Sequence, residues 1–121
     1  MNKKRLLIID DDPRNIFALV NTLRAKSFEC LSCLSAEEAL KILNSDEIID
    51  AVLIDMMMPE MDGYEAIPLI KEIASRESVY IVAVTAQAMS GDKEKCLDAG
   101  ADDYISKPVD VDKLLLILSK I

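Results

Sequence analysis

The stretches RLLII (5–9), AVLI (51–54) and YIVAV (80–84) are apolar at nearly every position. A strand with one wet face alternates apolar and polar residues. A strand that is apolar throughout is buried on both faces, which calls for a parallel sheet with helices on each side. The segments between these runs carry the helical period. RNIFALVNTLRAK (14–26) spaces Ile16, Leu19, Val20 and Leu23 along one face. SAEEALKILN (35–44) opens with Ser35 and Glu38, a capping-box pair, and places Ala36, Ala39, Leu40 and Leu43 together. FECLSC (28–33) reads as a second strand and DYIS (103–106) as a weak fifth one. EAIPLIKEIA (65–74), GDKEKCLDAG (91–100) and DVDKLLLILSKI (110–121) complete the helices, the second capped by Gly100. In the last helix Val111, Leu114, Leu115 and Leu118 are expected inward. The pattern predicts five strand–helix units in one α/β domain over residues 1–121, without linker or repeat.

Charge excludes some functions. The formal net charge is −8, which disfavours nucleic acid and anionic membrane surfaces as partners. The apolar run after MNKKR stops at Asp10, too short for a secretory signal, and no run reaches a membrane span. A soluble, cytoplasmic chain is expected. Cys30 and Cys33 form a C-x-x-C, but odd spacing in a strand puts the two thiols on opposite faces. Zinc would need two more ligands, and only Cys96 and no histidine are available. Two buried structural cysteines are expected there.

In open parallel sheets the functional crevice lies beyond the carboxyl ends of the strands. Asp10, Asp11 and Asp12 follow strand one, Asp55 follows strand three, Thr85 follows strand four, and Lys107 and Pro108 follow strand five. Asp12 before Pro13 reads as a helix N-cap. Asp10, Asp11 and Asp55 remain, with a charge of −3. A divalent cation and Lys107 would balance it, and hard oxygen donors in small number suit Mg²⁺. A carboxylate beside a metal and a lysine can act as nucleophile toward a phosphoryl group, giving an aspartyl phosphate. No glycine-rich phosphate loop is present, so a nucleotide is not the expected donor. Without histidine, a phosphohistidine donor must belong to another protein.

IIDDD (8–12), LIDMMMPEMDG (53–63), VTAQA (84–88) and ADDYISKP (101–108), in this order, resemble the receiver domain of two-component response regulators. The resemblance covers nearly the whole chain. It implies a flavodoxin-like (βα)5 fold with strand order 2-1-3-4-5. It implies that Asp55 is phosphorylated, that Asp11 binds Mg²⁺ directly and Asp10 mainly through water, and that the Met57 backbone carbonyl is a further ligand, with Mn²⁺ as a substitute metal. Lys107 would pair with the phosphoryl group, Thr85 would turn toward it, Tyr104 would move with Thr85, and Ala86 would leave room. The implied partner is a histidine kinase or histidine phosphotransfer protein within a phosphorelay. The surface of helix four, strand five and helix five would be read by others. The only implied catalysis is phosphorylation and dephosphorylation of its own aspartate. The segment 84–110 looks much like receivers fused to hybrid histidine kinases, whereas the Met1 start favours a stand-alone or N-terminal receiver.

Two other classes compete with this reading. A Mg²⁺-dependent phosphotransferase or phosphatase acting on a small substrate would need a substrate-binding motif, and none is evident. A never-phosphorylated pseudo-receiver would usually lack one of Asp11, Asp55, Thr85 or Lys107, and all are present. Pro68 predicts a kink or a late start in helix three. Of Met56, Met57 and Met58, Met58 is expected to plug the core while the others cover the loop. The resemblance implies that Met57 and Gln87 stand at positions that would tune phosphoryl lifetime. Leu116 and Ile117 would suit a phosphorylation-dependent homodimer.

Overall fold

A computed structural model describes residues 3–86 and 91–121. Five strands, β1 (Arg5–Ile9), β2 (Glu29–Cys33), β3 (Ala51–Asp55), β4 (Tyr80–Thr85) and β5 (Asp103–Ser106), form one sheet. Its order is β2-β1-β3-β4-β5, and every neighbouring pair is parallel. The α-helices are α1 (Pro13–Ala25), α2 (Ala36–Leu43), α3 (Gly63–Glu72), α4 (Asp92–Ala99) and α5 (Val111–Leu118). A 3₁₀ turn, Ala74–Arg76, follows α3. Among the described residues, no helix is long and apolar enough to cross a membrane.

The apolar strands face two cores. Leu7, Ile9, Val52, Ile54, Ile81 and Ala83 pack with α2, α3 and α4 on one side. Leu6, Ile8, Leu53, Val82 and Val84 pack with α1 and α5 on the other. β3 lies in the middle, and all five of its residues are buried. Cys30 and Cys33 divide between the two cores, as their spacing requires. Burial pushes the Cys33 thiol up to about 11 and raises that of Cys30, so these are packing residues and not thiolate ligands.

Several details depart from expectation. α3 starts at Gly63 and runs through Pro68 without a break, so the late start is absent. Two features account for this. Asp62 and Glu65 form a reciprocal capping box that fixes the start. Pro68 faces solvent, where water can replace the amide donor the helix lacks. At α2 only half of the expected box forms: Ser35 Oγ accepts from the Glu38 amide at 3.2 Å. In α5, Leu114 and Leu118 are buried and Ile117 packs on the core beside them, while Leu115 is only half-buried. Met56 is buried more deeply than Met58, and Met57 is exposed.

Met56 fills the core because Gly63 lets it. A Cβ on Gly63 would stand 2.9 Å from the Met56 Cα and would overlap its sulfur. The Gly63 amide also donates to the Met56 carbonyl at 3.2 Å. Gly63→Ala should therefore destabilise the fold by about 1–3 kcal/mol through overpacking, despite alanine's better helix propensity. Urea denaturation checks this; an unchanged midpoint would mean that the loop after β3 yields freely.

Candidate functional site

The carboxyl ends of β1, β3, β4 and β5 meet at one rim. Asp10 follows β1 directly, Asp55 ends β3, Thr85 ends β4 and Lys107 follows β5. Parallel pairing with matched register sets these ends side by side. Lys107 Nζ lies 3.1 Å from Asp55 Oδ2 and 3.3 Å from Asp10 Oδ2. Its backbone amide donates to the Thr85 carbonyl at 2.7 Å, and the Lys107–Pro108 bond is cis.

Each acid is oriented. Asp10 Oδ1 accepts from the Asp12 amide at 2.8 Å, and Oδ2 accepts from Asn15 Nδ2 at 3.4 Å. Asp55 Oδ1 accepts from the Met57 amide at 3.0 Å. Asp10 and Asp55 are only 3% and 4% exposed, whereas Asp11 is open to solvent. One carboxylate oxygen from each of Asp10, Asp11 and Asp55 lies within 4.8 Å of the other two. Such a set of hard oxygen donors fits a small divalent cation that keeps several waters. Asp12 is the N-cap of α1: Oδ1 accepts from the Arg14 amide at 2.9 Å, and Pro13 takes the first helical position. The hydrogen bonds from Arg14 hold its carboxyl below the usual carboxylate range.

Burial raises the Asp55 pKa above the usual carboxylate range. The Met57 amide and Lys107 oppose the shift, and the charge of Asp10 adds to it. For Lys107 burial works downward, but the bonds and charges of Asp55 and Asp10 prevail and raise it. A carboxyl whose folded pKa is raised binds more protons folded than unfolded. In the metal-free protein its contribution to stability is therefore present at low pH and is lost as pH rises through the folded value. Asp55→Asn should track wild type at low pH and become the more stable of the two as pH climbs above the usual carboxylate range. Thermal melts of both proteins in chelator across that window check it; parallel curves would remove the burial argument.

Tyr104 is half-buried on β5 and packs against the α2–α3–α4 core, and Ala86 is exposed just past β4. Met57 exposes 66% of its surface beside Asp55, while Gln87 lies outside the described residues. One contact was not foreseen: Thr85 Oγ1 donates to Asp92 Oδ2, on the first residue of α4, at 3.1 Å. Nothing in the local sequence marks this pairing, because the two residues stand seven positions apart in the chain. Arg76 was missed as well. It is 7% exposed and donates to the carbonyls of Leu43, Ser45 and Glu47 at 2.8, 3.0 and 2.6 Å.

Comparison with known proteins agrees with this geometry. The family model described as the response regulator receiver domain matches residues 6–119. The chain is 37% identical over 121 residues to the hybrid signal transduction histidine kinase L of Dictyostelium discoideum, covering 96% of this chain and 7% of that protein. It is 37% identical over 109 residues to the sensor histidine kinase RcsC of Salmonella typhi, covering 90% of this chain and 11% of that protein. The chain thus spans only about a tenth or less of the length of these relatives. Among solved structures, it superposes on the receiver domain of a sensor histidine kinase from Pseudomonas aeruginosa with a TM-score of 0.88 and 31% identity, covering 98% of this chain and 97% of that one. That protein holds a magnesium ion in its active-site cleft. A CheY-like receiver from Methanospirillum hungatei gives a TM-score of 0.87 at 29% identity, covering 98% and 93% of the two chains. A family match across nearly the whole length, on a sheet of this strand order with an acidic rim, makes the chain a member of the response regulator receiver domain family.

Proposed function

We propose that this receiver accepts a phosphoryl group on Asp55 from a phosphohistidine of a histidine kinase or phosphotransfer protein. The observation that carries the reading is a buried carboxylate at the end of the central strand, 3.1 Å from an ammonium and beside two further acids. An Asp55 oxygen attacks phosphorus, the P–N bond breaks, and the histidine nitrogen leaves with the electron pair and takes up a proton. Lys107 balances charge that builds on the phosphoryl oxygens. Asp10 and Asp11, with Asp55 and the Met57 carbonyl, would hold Mg²⁺, or Mn²⁺ in its place; the ion supplies charge stabilisation at the phosphoryl oxygens. The Asp10 and Asp55 carboxylates need little rearrangement for this, because backbone amides already aim them.

Phosphorylation adds up to about two negative charges at this rim. Thr85 gains a strong acceptor for its hydroxyl, and Tyr104 and the surface of α4, β5 and α5 respond to its movement. Of the two side chains expected to serve a homodimer, Leu116 is 70% exposed while Ile117 packs on the core, so any such contact centres on Leu116. The −8 charge and the acidic rim argue for a protein partner over nucleic acid or membrane.

Intact mass after incubation with acetyl phosphate tests the reading. Wild type should gain one phosphoryl group with Mg²⁺ and none with chelator, and Asp55→Ala should gain none in either. Labelling of Asp55→Ala equal to wild type would reject Asp55 as the acceptor.

A further inference from the structure

Resting on that reading, we infer that Asp92 is a positioning residue that holds the Thr85 hydroxyl away from Asp55 until a phosphoryl group competes for it. Thr85 is 4% exposed and its Oγ1 lies 3.1 Å from Asp92 Oδ2. A carboxylate only accepts, so the single hydroxyl proton of Thr85 is committed to Asp92 in this contact. That bond is charge-assisted and half-buried, which places it among the stronger side-chain bonds. Turning Thr85 toward Asp55 therefore means giving up one anionic acceptor for another.

The contact also joins two elements of unequal firmness. Thr85 ends β4, which is paired on both sides. Asp92 opens α4, whose N-cap Gly91 stands in the left-handed region at φ 95° and makes no side-chain cap. Cys96 is the buried residue of α4. The bond from Thr85 is thus a tie between the strand end and the start of a thinly anchored helix. When the hydroxyl leaves, that tie is released, and the signal passes from the rim to α4 through one proton donor.

The test is a double-mutant cycle on the Mg²⁺-dependent affinity for beryllofluoride, a phosphoryl mimic, followed by tyrosine fluorescence. Asp92→Ala should bind about tenfold more tightly than wild type, because the competing acceptor is gone. Asp92→Asn keeps a neutral acceptor and should fall between the two. In a Thr85→Val background, Asp92→Ala should change the affinity by less than about twofold, since the residue acts through the hydroxyl. If Asp92→Ala tightens binding equally in both backgrounds, its charge acts at long range and the tie is overturned. If Asp92→Ala fails to tighten binding while Thr85→Val weakens it, the tie is likewise overturned and the switch role of Thr85 survives. Wild-type binding that persists in Asp55→Ala would overturn the phosphoacceptor reading itself, and the tie with it.

Discussion

Arg76→Met should cost about 2–4 kcal/mol of stability, a loss on the scale of a core truncation although the site lies away from the rim. Its guanidinium gathers three carbonyls from the end of α2 and the loop that leads into β3. The Leu43 carbonyl is one that the helix leaves unpaired, and Arg76 reaches it at 2.8 Å from the 3₁₀ turn after α3. Methionine fills much of the volume but donates nothing. Part of the loss is recovered because Ser45 and Glu47 sit in the open and their carbonyls can be rehydrated. Arg76→Lys should restore about half, since one ammonium cannot span all three carbonyls in the planar arrangement of a guanidinium. Chemical denaturation of the three proteins decides the matter. Equal midpoints for wild type and Arg76→Met would show that water serves these carbonyls as well as arginine does.

Lys107→Met should slow labelling of Asp55 by acetyl phosphate about 100-fold at saturating Mg²⁺. The ammonium now sits against both Asp55 and Asp10, and no neutral side chain can balance charge growing on the transferring group. The same substitution should tighten Mg²⁺ binding, because the ion would no longer share these carboxylates with a fixed cation. Two readouts moving in opposite directions distinguish this role from damage to the fold, which would weaken both. Labelling within threefold of wild type would remove Lys107 from the chemistry.

Most of the fold was legible because burial on both faces leaves a plain mark: β1, β3 and β4 are apolar runs, and a sheet made from them admits few arrangements. The rim was legible for a related reason. Asp10, Asp55 and Lys107 each sit directly at a strand end, so the topology that orders the strands also gathers the acids and the ammonium. What escaped depends on three-dimensional detail that periodicity does not carry. Pro68 was expected to kink α3 or delay its start; the capping box at Asp62 and Glu65 sets the start, and the proline turns to water. Leu115 and Ile117 end up equally half-buried, with Ile117 packed on the core, because a short helix rich in leucine offers two nearly equal faces. Arg76 and Asp92 are charged residues in unpatterned segments, and each gains its meaning only from a partner brought near by the fold.

The thin anchoring of α4 has a consequence for how such a domain diversifies. Lys93, Glu94, Lys95 and Asp98 all point to solvent around the single buried Cys96. Substitutions at those four positions touch little of the core, so they can accumulate without taxing folding. On the proposed reading, a lineage can therefore acquire a new recognition face on this helix while the acidic rim, mounted on fully buried β3, stays as it is. The address of the signal and the chemistry that produces it are free to evolve at different speeds.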